Sequence, residues 1–194
     1  MYLAAVAGAT VPIAASTQAP PDSMVAQMVD PQAQRGRSLD YLFEVLKMAP
    51  DEQTARLIEK RIWTLWSASG SDTADLLMSR AKQAIVEKET EVAVRLLDAI
   101  IDLKPEYAEA WNRRATLYFE QKDYAHALAD IAEVLSREPR HFGALTGLGL
   151  ILQDMGQEKR ALEVFRRALE IDPHLEKVPE YVKSLSSRID GRNI

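Results

Sequence analysis

Three prolines stand at one interval in this chain: Pro105, Pro139 and Pro173 are each 34 residues apart. The same step relates Ala93, Ala127 and Ala161, and again the small residues Ala81, Ala115 and Gly149. Three columns agreeing at one period define a repeat, and a period of this length belongs to a supersecondary unit stacked on copies of itself. The prolines close "IIDLKP", "VLSREP" and "LEIDP", three matching helix ends. Proline has no N–H to give and restricts the residue before it, so each marks where a helix stops.

Each unit has the same internal order. A first helix carries a large residue and, four positions on, a small one; a short turn follows, then a second helix with alanine near its start. Small residues let helix backbones approach and bulky ones fill the remaining space. Trp111, Ala115, Tyr118, Ala127, Ile131 and Val134 hold these slots in the second unit, and Leu145, Leu148, Gly149, Leu152, Ala161, Phe165 and Ala168 in the third. The turns read "QKDY" and "MGQE", where Gly156 suits a positive φ.

This pattern resembles the tetratricopeptide repeat, W-x2-L-G-x2-Y, then A-x3-F, then P. The third unit matches closely, with Leu145 and Leu152 in place of the aromatics. The second keeps Trp111 and Tyr118 but has Arg114 in the leucine slot, Ala115 in the glycine slot and Ile131 in the phenylalanine slot. The first is weaker, with Leu77, Arg80, Ala81, Ala84, Ala93, Leu97 and Pro105. The runs "PEYAEAWNRRATLYF" and "EPRHFGALTGLG" are also similar to exported cell-envelope repeat proteins of the alphaproteobacterial type. The resemblance implies an all-α fold, a right-handed superhelical solenoid of antiparallel helix pairs, with units over 74–107, 108–141 and 142–175.

A solenoid needs its ends covered. Residues 38–71 read as a helical hairpin, a degenerate repeat or N-terminal cap, with Leu39, Leu42, Phe43 and Leu46 as its apolar stripe and Pro50 opening its second helix. Of Trp63 and Trp66, three apart, one is expected to pack against the first repeat and the other, about 60° round the helix, to stay partly exposed. Gly70 ends this hairpin and Asp72 is the expected N-cap of the next helix, with Asp75 three residues on. Residues 176–194 supply a C-terminal capping helix and tail, with Val178, Val182, Leu185 and Ile189 at helical spacing.

Residues 1–37 differ from the rest. "MYLAAVAGATVPIAAS" is apolar and uncharged, falls short of the ~20 residues a membrane span requires, and is interrupted by Pro12. It has the length of a signal-peptide h-region, with cleavage expected after Ser16, although no basic n-region precedes it in this sequence. A linker follows to Arg37. The expectation is a periplasmic or exported protein without a stable membrane span, the alternative a cytoplasmic one.

Composition narrows the chemistry. With 24 Lys+Arg against 29 Asp+Glu the chain offers no basic surface for nucleic acid. With no cysteine there is no disulfide, thiolate nucleophile or cysteine zinc site. His126, His141 and His174 are scattered and do not form a metal-ligand pair on one helix face. No phosphate loop or serine-nucleophile motif is present, so no enzyme, catalytic residue, metal or cofactor is expected.

The resemblance implies a concave face lined by the first helix of each pair, where a peptide or partner helix lies in the family. By register, the candidate partner-binding residues are Met78, Lys82, Asn112, Arg113, Thr116, Phe119, Glu120, Thr146, Leu150, Gln153 and Asp154. Arg113, beside Asn112 and Thr116, is the leading contact. Arg114, about 100° further round the helix, is expected to pack its stem and send its charge to the edge. Gly143 and Gly147 also face inward, either leaving a ligand backbone room or allowing close helix packing. Some members clamp a chaperone's C-terminal carboxylate; here Met78, Lys82, Gly143 and Gly147 stand at clamp positions, so chaperone docking is not expected. The expected function is a non-catalytic module that binds an unidentified protein or peptide in cell-envelope maintenance or assembly, as a monomer or weak homo-oligomer. The alternative is a self-associating structural solenoid with Trp63 or Trp66 at its seam.

Overall fold

A computed structural model describes residues 31–191. The signal-like segment and most of the expected linker lie outside the described residues. Contacts divide the chain into Met1–Gly36 and Arg37–Ile194. Of the first unit only the opening turns of a helix are described; everything below concerns the second.

The described residues form nine helices: α1 Pro31–Lys47, α2 Glu52–Ser67, α3 Asp72–Val86, α4 Thr90–Leu103, α5 Ala108–Glu120, α6 Tyr124–Arg137, α7 Phe142–Asp154, α8 Glu158–Ile171 and α9 Val178–Gly191. None of them is long and apolar enough to cross a membrane. α3/α4, α5/α6 and α7/α8 are antiparallel pairs stacked in order, α4 on α5 and α6 on α7, with α9 closing against α8. This is the all-α solenoid that the 34-residue period predicts. Its alanine column does what small residues are needed for: Ala93, Ala127 and Ala161 are fully buried. Gly149 is tighter still, because a Cβ there would lie 2.4 Å from the Phe165 ring.

Each turn between paired helices closes in the same way. The N–H of Glu89 bonds Ala84 O, that of Asp123 bonds Tyr118 O and that of Gln157 bonds Leu152 O, each at 2.8 Å. A shorter-range bond from the preceding residue completes a Schellman motif in every case. The left-handed residue is Lys88 (φ 61°), Lys122 (φ 61°) and Gly156 (φ 72°), one per repeat at the 34-residue step. Glycine takes this conformation without strain, whereas the two lysines hold it against a steric cost.

Two helix starts differ from expectation. α2 begins after Asp51, whose carboxylate accepts from Thr54 N–H at 2.7 Å, rather than at Pro50. α3 is capped by Ser71 rather than Asp72. Asp75 does not complete a capping box; it accepts from the hydroxyl and N–H of Ser69 (2.6 and 3.1 Å), pinning the chain that leads into the repeats.

The α1–α2 hairpin does not continue the stack as a further repeat would. It packs on the segments that lead into α5, α7 and α9. The residues it meets form another 34-residue column, Tyr107, His141 and Leu175. Tyr107 donates its hydroxyl to Ser67 O at 2.8 Å. Trp66 stacks on His141, and Leu175 packs against the hairpin's core, the cluster that holds Leu39, Phe43 and Leu46. Arg140 fastens the outside, pairing with Asp40 at 2.6 Å while its guanidinium covers the Phe43 ring at 4.3 Å. The two tryptophans thus pack with Phe142 inside the protein: Trp66 is buried, and Trp63, half-buried, presents its ring to His141 and Phe142.

Candidate partner-binding groove

α5 is the middle first helix, so its inner face is flanked by α3 on one side and α7 on the other. Asn112, Thr116 and Glu120, spaced at four, form a ridge along it. A recess of about 220 Å³ lies toward α3, bounded by Trp63, Ile85, Asn112 and Arg113. A recess of about 310 Å³ lies toward α7, with Ala115, Phe119, Ile131, Ala144, Leu150 and Ile151 as its apolar walls and Asn112, Thr116, Glu120 and Thr146 as its polar rim.

The structure brings seven of the eleven candidates together. Asn112, Thr116 and Glu120 border both recesses, Phe119, Thr146 and Leu150 the larger one, and Arg113 the smaller. Thr116 and Thr146 donate their hydroxyls to the carbonyls one turn back, Asn112 O and Phe142 O. Lys82 is exposed on α3, and Gln153 and Asp154 sit at the end of α7, Asp154 accepting from the Tyr124 hydroxyl at 3.3 Å. Met78 is not on this face. It is 3% exposed in the core between α3 and α4, which leaves it unavailable to a ligand.

Arg113 is not a bare cation. Its guanidinium pairs with Glu109 at 2.7 Å, and Glu109 also accepts from Asn112 Nδ2 at 3.1 Å. Glu109 is 1% exposed. Burial pushes its carboxyl up, but the facing His141 imidazole, Arg113 and Asn112 outweigh burial and hold it below the usual glutamate value. His141, fully buried, accepts the Ala144 N–H on Nδ1, so Nε2 carries the proton that faces Glu109 at 3.8 Å.

Arg114 corrects a second expectation. Its charge does not go to the edge: it accepts a clamp from both neighbouring second helices, with Nε and Nη2 donating to Asp130 at 2.9 and 2.8 Å and Nη1 to Asp98 at 2.6 Å. Trp111 and Tyr118 cover it at 5.0 and 5.9 Å. The repeat register gave no signal for it: Asp98 and Asp130 stand 16 residues before and after Arg114, off the 34-residue step.

The inward glycines separate. At Gly143 a Cβ would lie 2.9 Å from the Trp63 ring, so this position makes room for the chain's own indole. At Gly147 the nearest atom, on Ile131, would be 3.7 Å away, an ordinary contact on the border of the larger recess. Trp63 is the wall residue that periodicity missed, because it comes from outside the repeats.

Stacked helix pairs with a polar-rimmed apolar groove on their first helices define a helical-repeat protein of the interaction class. The tetratricopeptide repeat model matches residues 87–133 and 115–176. A TPR repeat-containing protein of Rhizobium etli is 44% identical over 153 residues, which are 79% of this chain and 75% of the relative. The chain belongs to the tetratricopeptide repeat family. Among solved structures, the first TPR of Spaghetti (RPAP3) bound to an HSP90 peptide superposes with a TM-score of 0.59 at 18% identity, over 62% of this chain and 95% of that one. The Sgt2 TPR domain from Aspergillus fumigatus gives 0.58 at 22%, over 63% and 83%. At these identities the likeness is one of fold.

Proposed function

We propose that this protein is a non-catalytic adaptor that holds an extended peptide, or a segment of a partner protein, across the inner face of α3, α5 and α7, in cell-envelope maintenance or assembly. The carrying observation is the open apolar recess between α5 and α7, rimmed by Asn112, Thr116, Glu120 and Thr146. An apolar socket with a few placed polar groups is how such surfaces bind: burial gives affinity, and side-chain amides and hydroxyls orient a backbone. A solved neighbour of the same fold is bound to an HSP90 peptide, which supports reading this chain as a peptide-binding module. The envelope assignment draws on the apolar, uncharged first sixteen residues.

The test is site-specific photocrosslinking in cells, with the probe at Thr116 or Leu150 on the inner face and at Ala132 on the exposed side of α6. Partner adducts from the inner positions alone are expected; adducts only from Ala132 would place binding elsewhere. An alkaline phosphatase fusion after Gly191 reports export, because the enzyme needs disulfides that form only outside the cytoplasm; a fusion that accumulates but stays inactive would remove the envelope assignment.

A further inference from the structure

The chemistry of the larger recess narrows the partner, on the reading that this groove binds a peptide. None of the described side chains lining it is basic. The nearest arginine on the same helix, Arg113, faces the other recess and is neutralised by Glu109 at 2.7 Å. The one charged side chain on its rim is Glu120. Glu120 is the last residue of α5, and Asp154, 34 residues on, is the last of α7. Two adjacent helices therefore end side by side, each adding the negative pole of its dipole to a carboxylate. At the other end of the recess Gly143 and Gly147 contribute no side chain, and so no positive charge, to the wall.

We propose that the α5–α7 recess takes a bulky apolar side chain of an extended partner segment whose neighbouring residue is lysine or arginine, directed at Glu120 and Asp154. The apolar group fills the socket formed by Phe119, Leu150 and Ile151, and the cation lies over the carboxyl ends of α5 and α7. An acidic segment in the same groove would set its carboxylates against these two and meet no basic side chain on the recess wall.

Fluorescence anisotropy with the full chain and four labelled probes tests this. Three are N-acetylated, C-amidated nonapeptides with a central Phe-Leu pair flanked by lysines, serines or glutamates; the fourth is a synthetic peptide of residues 2–16 of this chain. The lysine-flanked probe is expected to bind about tenfold tighter than the glutamate-flanked one, the worth of two partly exposed charge contacts. Gly147→Leu and Thr116→Trp, both filling the recess from open positions, should each abolish binding, and Glu120→Lys with Asp154→Lys should reverse the order of the charged probes. Lysines at helix C-termini suit the dipole, so that variant keeps its fold.

Equal binding of the charged probes, or preference for glutamate, with loss of binding in Gly147→Leu, would overturn the inference and leave the groove reading standing. Binding that survives both filling variants, or no binding by any probe, would overturn both. Preferential binding of the 2–16 peptide would give the recess to this chain's own N-terminal segment, and dimerisation lost in Gly147→Leu would give it to a second copy; either overturns the assignment to a separate partner.

Discussion

The indole of Trp66 lies flat on the imidazole of His141, with ring centroids 4.1 Å apart and planes 9° from parallel. Trp66 belongs to the hairpin that precedes the repeats, and His141 is the residue that caps α7, so one ring contact ties the N-terminal elements to the third repeat. Trp63 adds edge contacts to His141 and Phe142 at 5.3 and 5.7 Å. The hairpin thereby builds one wall of the smaller recess.

Trp66→Ala removes the ring that joins Phe43, Phe142 and His141. A loss of about 3–5 kcal/mol is expected, as for large aromatic truncations in cores. Hydrogen exchange should locate it: amides of α1 and α2 exchange faster, while α5 to α8 keep their protection. Uniform acceleration across all the helices would mean that the hairpin and the repeats unfold as one unit.

The inward glycines should respond with opposite signs. Gly143→Ala drives a methyl into the Trp63 ring, which Trp66, His141 and Phe142 hold in place, and is expected to cost about 1–3 kcal/mol. Gly147→Ala meets only ordinary contact and should gain up to ~1 kcal/mol from helix propensity. Thermal melts of the two variants check this directly.

Arg114→Leu restores the residue type usual in its repeat slot and should still destabilise, by about 3–5 kcal/mol, because Asp130 (3% exposed) is left buried and unpaired. Arg114→Leu with Asp130→Leu should recover most of that loss. Arg114→Lys should not rescue, since an ammonium cannot make the bidentate contact or stack between Trp111 and Tyr118. Urea titration of the single and double variants measures the difference.

Two acidic groups give opposite pH dependences. Glu109 is held below its ordinary value of 4.5, so its contribution is present above that pH and is lost as pH falls through the lower folded value. Glu59 on α2 and Asp172 at the end of α8 both lie above their ordinary values, through burial first, with Asp172's charge further raising Glu59. The folded state then holds more protons than the unfolded one, and stability falls as pH rises from about the ordinary carboxylate range through the raised values. Glu59→Gln should therefore raise the Tm at neutral pH and flatten its decline as pH rises above the ordinary carboxylate range. An unchanged slope would show that the pair is not responsible.

The repeats, their turns and the inner face were legible because each is a local consequence of residue type at a fixed spacing. Ala93, Ala127 and Ala161 specify close helix approach wherever they fall, and all seven grouped groove residues follow from the register of α5 and α7. Asp72 and Asp75 show how far local rules reach: both were read as caps, but Ser71 accepts the Ala74 N–H at the start of α3, and Asp75 instead accepts from the hydroxyl and N–H of Ser69. Met78 was misplaced for a related reason, since periodicity gives a residue's angle round a helix but not how deeply its neighbours close over it.

From its residues alone this chain is a stack of three tetratricopeptide units, with small residues, prolines and turn positions recurring at 34 residues. Tertiary structure decided where the preceding hairpin lies, that Arg114 is held between Asp98 and Asp130, and that Gly143 houses Trp63. Those contacts join groups 16 to 100 residues apart that share no period. A repeat pattern records the packing of each unit on the next; it carries no record of a helix laid across several units at once, whose position is settled by which apolar rings and buried charges can be satisfied together.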